Sequence, residues 1–108
     1  MDMVVLKKEV WLTILEPTIG SEINKTRPCV VISPDIANKY KDSVIIVPLT
    51  STKRNYPSRV DCEFKNKEGQ IVIDQIRTID KSRLVKKLGT IDDETSDKVY
   101  EIIKIYFK

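Results

Sequence analysis

SVIIVPLT, residues 43–50, is a run of apolar and β-branched residues that predicts a strand buried on both faces. Pro48 has no N–H to donate to a neighbouring strand, so we expect the end of this strand to lie at an edge or a bulge. A second unbroken apolar run, Pro28–Ile32, predicts a second buried strand. Both runs therefore belong to the interior of the fold.

Further strands are predicted on either side of these runs. Glu9–Leu15 is rich in β-branched and aromatic residues. Ser58–Phe64 alternates between apolar and polar residues, which is typical of a half-exposed antiparallel strand. Gln70–Asp74 is expected to pair back on it as a hairpin across a turn at Lys65–Gly69, and its apolar run continues to Ile79.

Helices are predicted at three places by capping residues. Residues 33–35 (S-P-D) resemble an N-cap followed by proline and open one short helical turn. Asp80 is expected to cap a helix over Lys81–Leu88, which Gly89 ends. Asp92 is expected to cap a last helix. Its predicted apolar stripe consists of Val99, Ile102, Ile103 and Tyr106.

These elements predict a mainly β fold with five or six short strands in meander order. One short helix lies between the strands and another helix ends the chain. A sheet of this size has to curl or pack to hide its inner face. We therefore expect a small, strongly bent antiparallel β-barrel with the last helix laid against it.

The composition is that of an ordinary globular protein, with 41% hydrophobic and 32% charged residues. We expect one domain over residues 1–108. The early apolar run Met3–Leu6 is too short for a signal peptide or a membrane span, so we expect a cytoplasmic protein with no membrane partner.

Cys29 and Cys62 lie in strand-like runs, which favours two small buried hydrophobes over a disulfide or a metal pair.

The sequence contains no histidine. This excludes a Ser-His-Asp triad, a Cys-His pair, a two-histidine ribonuclease site and the usual histidine-containing zinc sites. We interpret the acidic run 92–94 (D-D-E) as a helix N-terminus, and we expect neither a metal site nor a cofactor. Cleavage of RNA by its own 2'-hydroxyl remains available, since it needs only a base, an acid and a positive charge at the phosphate.

Arg27 is the candidate for that charge. It lies at a strand start after a loop and is followed by Pro28, and its planar fork matches two phosphate oxygens. Thr50 ends a buried strand, where its hydroxyl can face a ligand. Glu22 and Asp74 are the candidate general bases. Taken alone, each of these residues also fits a structural role: an arginine paired with a loop acid, an ordinary strand threonine, and solvated carboxylates.

Two polar stretches add to this picture. Four polar side chains interrupt the apolar run 70–80: Asp74, Gln75, Arg77 and Thr78. Together they suggest a hydrogen-bonding network, a subunit interface or a ligand groove. In the loop 50–59, Lys53, Arg54 and Arg59 surround Tyr56. This arrangement suits a phosphate backbone and a stacked base, and it also fits a solvated hairpin loop.

Four motifs in order, EVWLTILEPTIGSE (9–22), RPCVVIS (27–33), IIVPLTS (45–51) and DQIRTIDKSRL (74–84), resemble the MazF/PemK toxins of bacterial toxin–antitoxin pairs. The resemblance implies an SH3-like barrel (PemK/CcdB-like) with a C-terminal helix, and a homodimer. It implies a metal-independent, sequence-specific endoribonuclease that cuts single-stranded mRNA and leaves a 2',3'-cyclic phosphate and a 5'-hydroxyl. The implied partner is an antitoxin whose extended tail fills the RNA groove, and with which the toxin binds DNA.

The resemblance also assigns roles to residues. The family's catalytic arginine before proline falls on Arg27, and its catalytic threonine falls on Thr50. Some members carry histidine where this chain has Thr26, so the base remains open between Glu22, Asp74 and substrate groups with water. The residues expected to contact RNA are Gly20, Ser21, Lys25, Ser51, Lys53, Arg54, Gln75 and Arg77.

Two other classes of function compete with this interpretation. One is a non-catalytic toxin of the same fold that binds and poisons a DNA topoisomerase. The other is a non-catalytic barrel that binds RNA or protein. The presence of both Arg27 and Thr50 argues against the first, because a pure binder has no need of that pair.

Overall fold

The structure is a computed structural model that describes residues 3–16, 19–20, 22 and 25–108. The described residues form two α-helices, α1 at Asp35–Tyr40 and α2 at Asp93–Tyr106. The strands are β1 at Glu9–Ile14, β2 at Thr26–Val31, β3 at Ser43–Thr50, β4 at Arg59–Phe64, β5 at Lys67–Val72, β6 at Arg77–Asp80 and β7 at Leu84–Thr90. Neither helix in this part of the chain is long and apolar enough to cross a membrane.

All strand pairs are antiparallel, and the spatial order is β4-β5-β3-β2-β1-β7, with β6 also on β3. The sheet curls into a half-barrel, which confirms the predicted fold class. The order is not the simple meander that was predicted, because β5 pairs with β3 and β7 returns to β1. β3 pairs with β6 through Ile46 and with β5 from Leu49. Pro48, predicted at an edge or a bulge, lies in β3 between the segment that pairs with β6 and the segment that pairs with β5.

Alternating side chains of the inner strands fill two separate cores, one on each face of the sheet. Val10, Val30 and Val47 belong to the core beneath α2. Trp11 and Val31 belong to the core on the opposite face, together with Cys29, Val44, Ile46 and Ile79. The prediction that β2 and β3 are buried on both faces is therefore confirmed for most of their length, although Ile45 of β3 is 36% exposed.

Helix α2 is held by its cap and by its apolar side. Asp92 accepts a hydrogen bond from the backbone N–H of Thr95 at 2.7 Å, as the sequence predicted. Val99 is only 1% exposed, and the hydroxyl of Tyr100 donates to the carbonyl of Ile32 at 2.6 Å. Tyr106 was wrongly placed in the buried stripe, since it remains 49% exposed near the free end of the helix.

The predicted helix over Lys81–Leu88 is wrong. Asp80 does cap a turn there, accepting from the N–H of Ser82 at 2.9 Å, but only a 3₁₀ turn forms and β7 follows it. Pairing with the open edge of β1 outweighs the helical pattern of the sequence. Gly89 does not end a helix either. It lies within β7, where an added Cβ would stand 2.9 Å from the ring of Phe64.

Two local predictions also need correction. The predicted turn at Lys65–Gly69 shortens to Lys65 and Asn66, whose φ angles of 51° and 65° form a two-residue hairpin turn. Ser33 does not cap α1; its hydroxyl instead bonds to the side chain of Asn38 and accepts from the N–H of Ile45. A buried hydroxyl is satisfied by these contacts, which a capping motif read from sequence does not reveal.

Candidate functional site: a basic groove on the sheet

A cavity of about 520 Å³ lies where the loop after β3 meets the start of β2. We call this cavity the groove. It is lined by Glu22, Arg27, Thr50, Thr52, Arg54, Tyr56, Arg59, Val72, Asp74 and Gln75. Both candidate catalytic residues and both candidate bases therefore line one space, although they come from four separate segments of the chain.

Strand register brings Arg27 and Thr50 together. β2 and β3 pair through Cys29 opposite Pro48 and Val30 opposite Val47. Extending this antiparallel register by two residues places Arg27 opposite Thr50. Residues opposite each other in such a pair point to the same face of the sheet, and both side chains do line the groove.

Arg27 is half-buried, and its side chain makes no ion pair within the described part of the chain. Its Nε is buried and has no hydrogen-bond partner among the described residues. A guanidinium in this state costs free energy unless a ligand satisfies it. The structural alternative, an arginine paired with a loop acid, is not what these residues form.

The hydroxyl of Thr50 is oriented by its own loop. Its oxygen accepts a hydrogen bond from the backbone N–H of Thr52 at 3.2 Å. One of its two lone pairs is thereby used, and the O–H proton remains available as a donor to a ligand. Thr50 also lines a neighbouring cavity of about 280 Å³ together with Arg27 and Ser51.

The two acids, Glu22 and Asp74, also line the groove. Glu22 is exposed, and its carboxylate accepts from the backbone N–H of Ile19 at 2.7 Å. Asp74 is exposed in a 3₁₀ turn that interrupts the predicted strand. Both acids also line an adjoining cavity of about 460 Å³ with Gln75 and Arg77. The groove and this cavity therefore share the acids and Gln75.

A buried amide holds two residues that line the groove, Arg54 and Arg59. Gln70 is 6% exposed, and its Oε1 accepts from the backbone N–H of Arg54 at 2.9 Å and from Nη1 of Arg59 at 3.1 Å. Its Nε2 donates to Asp61 at 2.8 Å. Nη1 of Arg59 also donates to the carbonyl of Thr52 at 3.0 Å. The loop between β3 and β4 is thus tied to β4 and β5.

The remaining predicted contact residues are spread more widely. Arg54 lies in the groove, whereas Lys53 turns away to form an ion pair with Glu68 at 3.2 Å. Arg77 donates to the carbonyl of Leu15 at 3.3 Å. Gly20 and Lys25 both have positive φ angles, 63° and 68°, in the loop before β2. Ser21, also predicted to contact RNA, lies outside the described residues.

Neither cysteine is available as a nucleophile. Burial raises the pKa of the Cys29 thiol to about 12, and burial together with nearby Asp61 raises the pKa of Cys62 to about 11. Both thiols are therefore protonated at neutral pH. Cys29 is fully buried, as predicted, whereas Cys62 is half-buried against the core beneath α2. No group of residues suited to hold a metal ion occurs in the described ranges.

Sequence reasoning missed part of this site. Thr52 and Gln70 were not singled out, and Arg59 was noted only as part of a basic loop. Gln70 directly precedes two apolar residues in β5, but nothing in the sequence shows that its register places it opposite both Thr50 and Asp61. An amide at a predicted buried strand position is the one signal that could have marked it.

Solved structures of known proteins share this fold. MazF of Deinococcus radiodurans (Form-I) superposes with a TM-score of 0.88 over 98% of both chains, at 23% identity. A chain of the MazE-MazF structure (Form-II) from the same organism superposes with a TM-score of 0.79 at 26% identity, over 98% of this chain and 97% of that one. The curled sheet with its C-terminal helix is therefore a MazF-like fold.

Sequence comparison then places the chain in a family. "Endoribonuclease EndoA" of Bacillus subtilis (strain 168) is 37% identical over 109 residues, which span 95% of this chain and 94% of that protein. The family of PemK-like, MazF-like toxins of type II toxin–antitoxin systems matches residues 7–107. This chain belongs to that toxin family, which confirms the resemblance seen in its motifs.

Proposed function

We propose that this toxin-family protein is an endoribonuclease that cleaves single-stranded mRNA at a short sequence, and that RNA binds in the groove. The observation that carries this function is the meeting of Arg27, Thr50 and two carboxylates in one cavity. The name of the Bacillus relative supports the same activity. Residues 1–108 act as a single toxin domain.

The reaction uses the 2'-hydroxyl of the RNA itself. Its oxygen attacks the adjacent phosphorus, the bond from phosphorus to the 5'-oxygen breaks, and the products are a 2',3'-cyclic phosphate and a 5'-hydroxyl. Asp74 or Glu22 takes the 2'-proton as general base. A proton from the protonated acid or from water goes to the departing 5'-oxygen.

Arg27 and Thr50 act on the phosphate. Negative charge grows on the phosphoryl oxygens in the transition state, and the guanidinium of Arg27 neutralises it at short range. The free O–H of Thr50 donates to the same oxygens. Both groups stand ready in the sheet before substrate arrives, so little reorganisation is needed at the moment of reaction.

The partners follow from family membership. The Deinococcus structure contains MazE together with MazF. By analogy with that complex, a cognate antitoxin binds this chain and blocks the groove. The toxin works as a homodimer. Its place of action is the cytoplasm, where mRNA is translated.

The test is incubation of the purified protein with a long single-stranded RNA in excess EDTA, followed by mapping of the cut ends. We expect discrete cuts bearing cyclic phosphate. The matched control is the same RNA with one 2'-deoxy nucleotide at a mapped site, where cutting should cease. Absence of cutting by antitoxin-free protein would contradict the proposal. Inhibition of DNA supercoiling by that same protein would then favour a topoisomerase poison.

A further inference from the structure

We propose that Tyr56 and Arg59 form a preformed subsite that stacks one base of the bound RNA beside the scissile phosphate, an inference that rests on the endoribonuclease function proposed above. The subsite lies in the groove with Arg27 and Thr50. Base stacking is a sequence-tolerant source of affinity for single strands, because every base has a π-face.

The ring of Tyr56 is open to a ligand. It is 55% exposed and lines the groove. The guanidinium carbon of Arg59 lies 5.6 Å from the ring centroid, within the range of a cation–π contact. Arg59 therefore supports the ring, and more than half of the tyrosine surface stays available to a planar partner.

The loop that carries this ring is held in place before RNA arrives. The backbone N–H of Arg59 donates to the carbonyl of Tyr56 at 3.1 Å, and its Nη1 donates to the carbonyl of Thr52. Gln70 accepts from the N–H of Arg54 and from Arg59. Because Asp61 accepts from the other end of the Gln70 amide, the amide has one orientation only. A loop held in this way loses little entropy when a base stacks on it.

The charge around the ring favours a nucleotide. Arg27 and Arg54 line the same cavity as Tyr56, so phosphates on either side of a stacked base would meet arginine. An acidic peptide would be attracted by the arginines alone and would gain little from an open aromatic face. The geometry therefore fits RNA better than the antitoxin, and the antitoxin is tested as the competing occupant.

The test measures binding of an uncleavable RNA that spans one mapped cleavage site and carries 2'-deoxy at the attacking ribose. We compare the wild type, Tyr56→Ala, Tyr56→Phe and Tyr40→Ala. Tyr40 is a matched control, because it is also exposed and has Lys39 at 5.5 Å from its ring, yet it lies on α1 away from the groove lining. Tyr56→Ala should bind about tenfold or more weakly, while Tyr56→Phe and Tyr40→Ala bind like the wild type.

Salt dependence separates stacking from charge. Affinity falls as salt rises. Loss of a phosphate contact in Arg54→Ala should make the slope of log affinity against log salt less steep by about 0.7, whereas Tyr56→Ala should leave that slope unchanged. Equal RNA affinity of Tyr56→Ala and the wild type would overturn the subsite and leave the proposed function standing. The subsite would also be overturned if Tyr56→Ala bound the antitoxin more weakly than the wild type but bound RNA equally well. Failure of the wild type to cut or bind RNA would overturn both.

Discussion

Arg27 and Gln70, on the two walls of the groove, use their polar groups in opposite ways. On the wall formed by β2 and β3, Arg27 has a buried Nε without a partner among the described residues, and the O–H of Thr50 is free to donate. On the wall formed by β4 and β5, Gln70 has partners at both ends of its amide, whereas Arg59 donates through Nη1 to two oxygens and, like Arg27, has a buried Nε without a partner among the described residues. Arg27 and Thr50 therefore keep hydrogen-bonding capacity for a ligand, and the Gln70 amide uses its capacity within the fold.

This difference predicts which residues act in catalysis and which position the groove. A polar group without an internal partner lowers the stability of the empty protein, so its removal should harm activity and leave folding intact. A polar group whose partners are all internal should behave in the reverse way. The variants below test this contrast, beginning with the largest expected effect on activity.

Arg27→Ala should lower the cleavage rate by ~10²–10³, because a preorganised positive group at the phosphate is lost. The melting temperature should stay within a degree or two of the wild type, or rise. The measurements are single-turnover cleavage at saturating protein and thermal unfolding. An unimpaired rate would remove Arg27 from the reaction.

Replacing the general base should cost ~10² in rate, at the lower end of the usual range, since water can partly substitute. Asp74→Asn and Glu22→Gln are matched charge-removing changes at the two candidate positions. Only one of them should slow single-turnover cleavage to this extent. If neither variant slows cleavage, both carboxylates serve a purpose other than proton transfer.

Thr50→Val should slow cleavage about tenfold, because one neutral donor to the phosphoryl oxygens is lost while the shape of the side chain is kept. Thr50→Ser keeps the hydroxyl and should restore most of the rate. Both are assayed under the conditions used for Arg27→Ala. Equal rates for the valine and serine variants would show that the hydroxyl takes no part.

Gln70→Leu should have the smallest effect on rate and the clearest effect on stability. It leaves the N–H of Arg54 and one N–H of Arg59 without their acceptor, at a cost of about 1–2 kcal/mol in the free energy of unfolding. We expect weaker RNA binding with a nearly normal maximal rate. Asp61→Ala removes only the partner of Nε2 and should be milder; urea unfolding compares the two.

The sequence predicted most of the fold because the decisive strands are strongly apolar. SVIIVPLT at 43–50 forms β3 with the bounds expected, and the cap at Asp92 starts α2 as expected. The failure at Lys81–Leu88 has a physical cause. Pairing with the open edge of β1 is a tertiary contact, and no local pattern in that segment reveals it.

The site was only partly predictable for a similar reason. Arg27 and Thr50 were chosen from their positions at strand ends, and the structure brings them into one cavity. The network of Gln70, Arg59 and Asp61 depends on the register of β4 with β5, which sequence pattern leaves open. The roles of all these residues in RNA cleavage remain predictions.

The most direct test sets Arg27→Ala and Gln70→Leu side by side, with single-turnover cleavage of one mapped RNA and thermal unfolding measured for each. The expected result is a crossover: Arg27→Ala loses the rate and keeps the melting temperature, and Gln70→Leu loses melting temperature and keeps most of the maximal rate. A fall in rate and stability together in Arg27→Ala would contradict this account, because it would show that Arg27 serves the fold and not the phosphate.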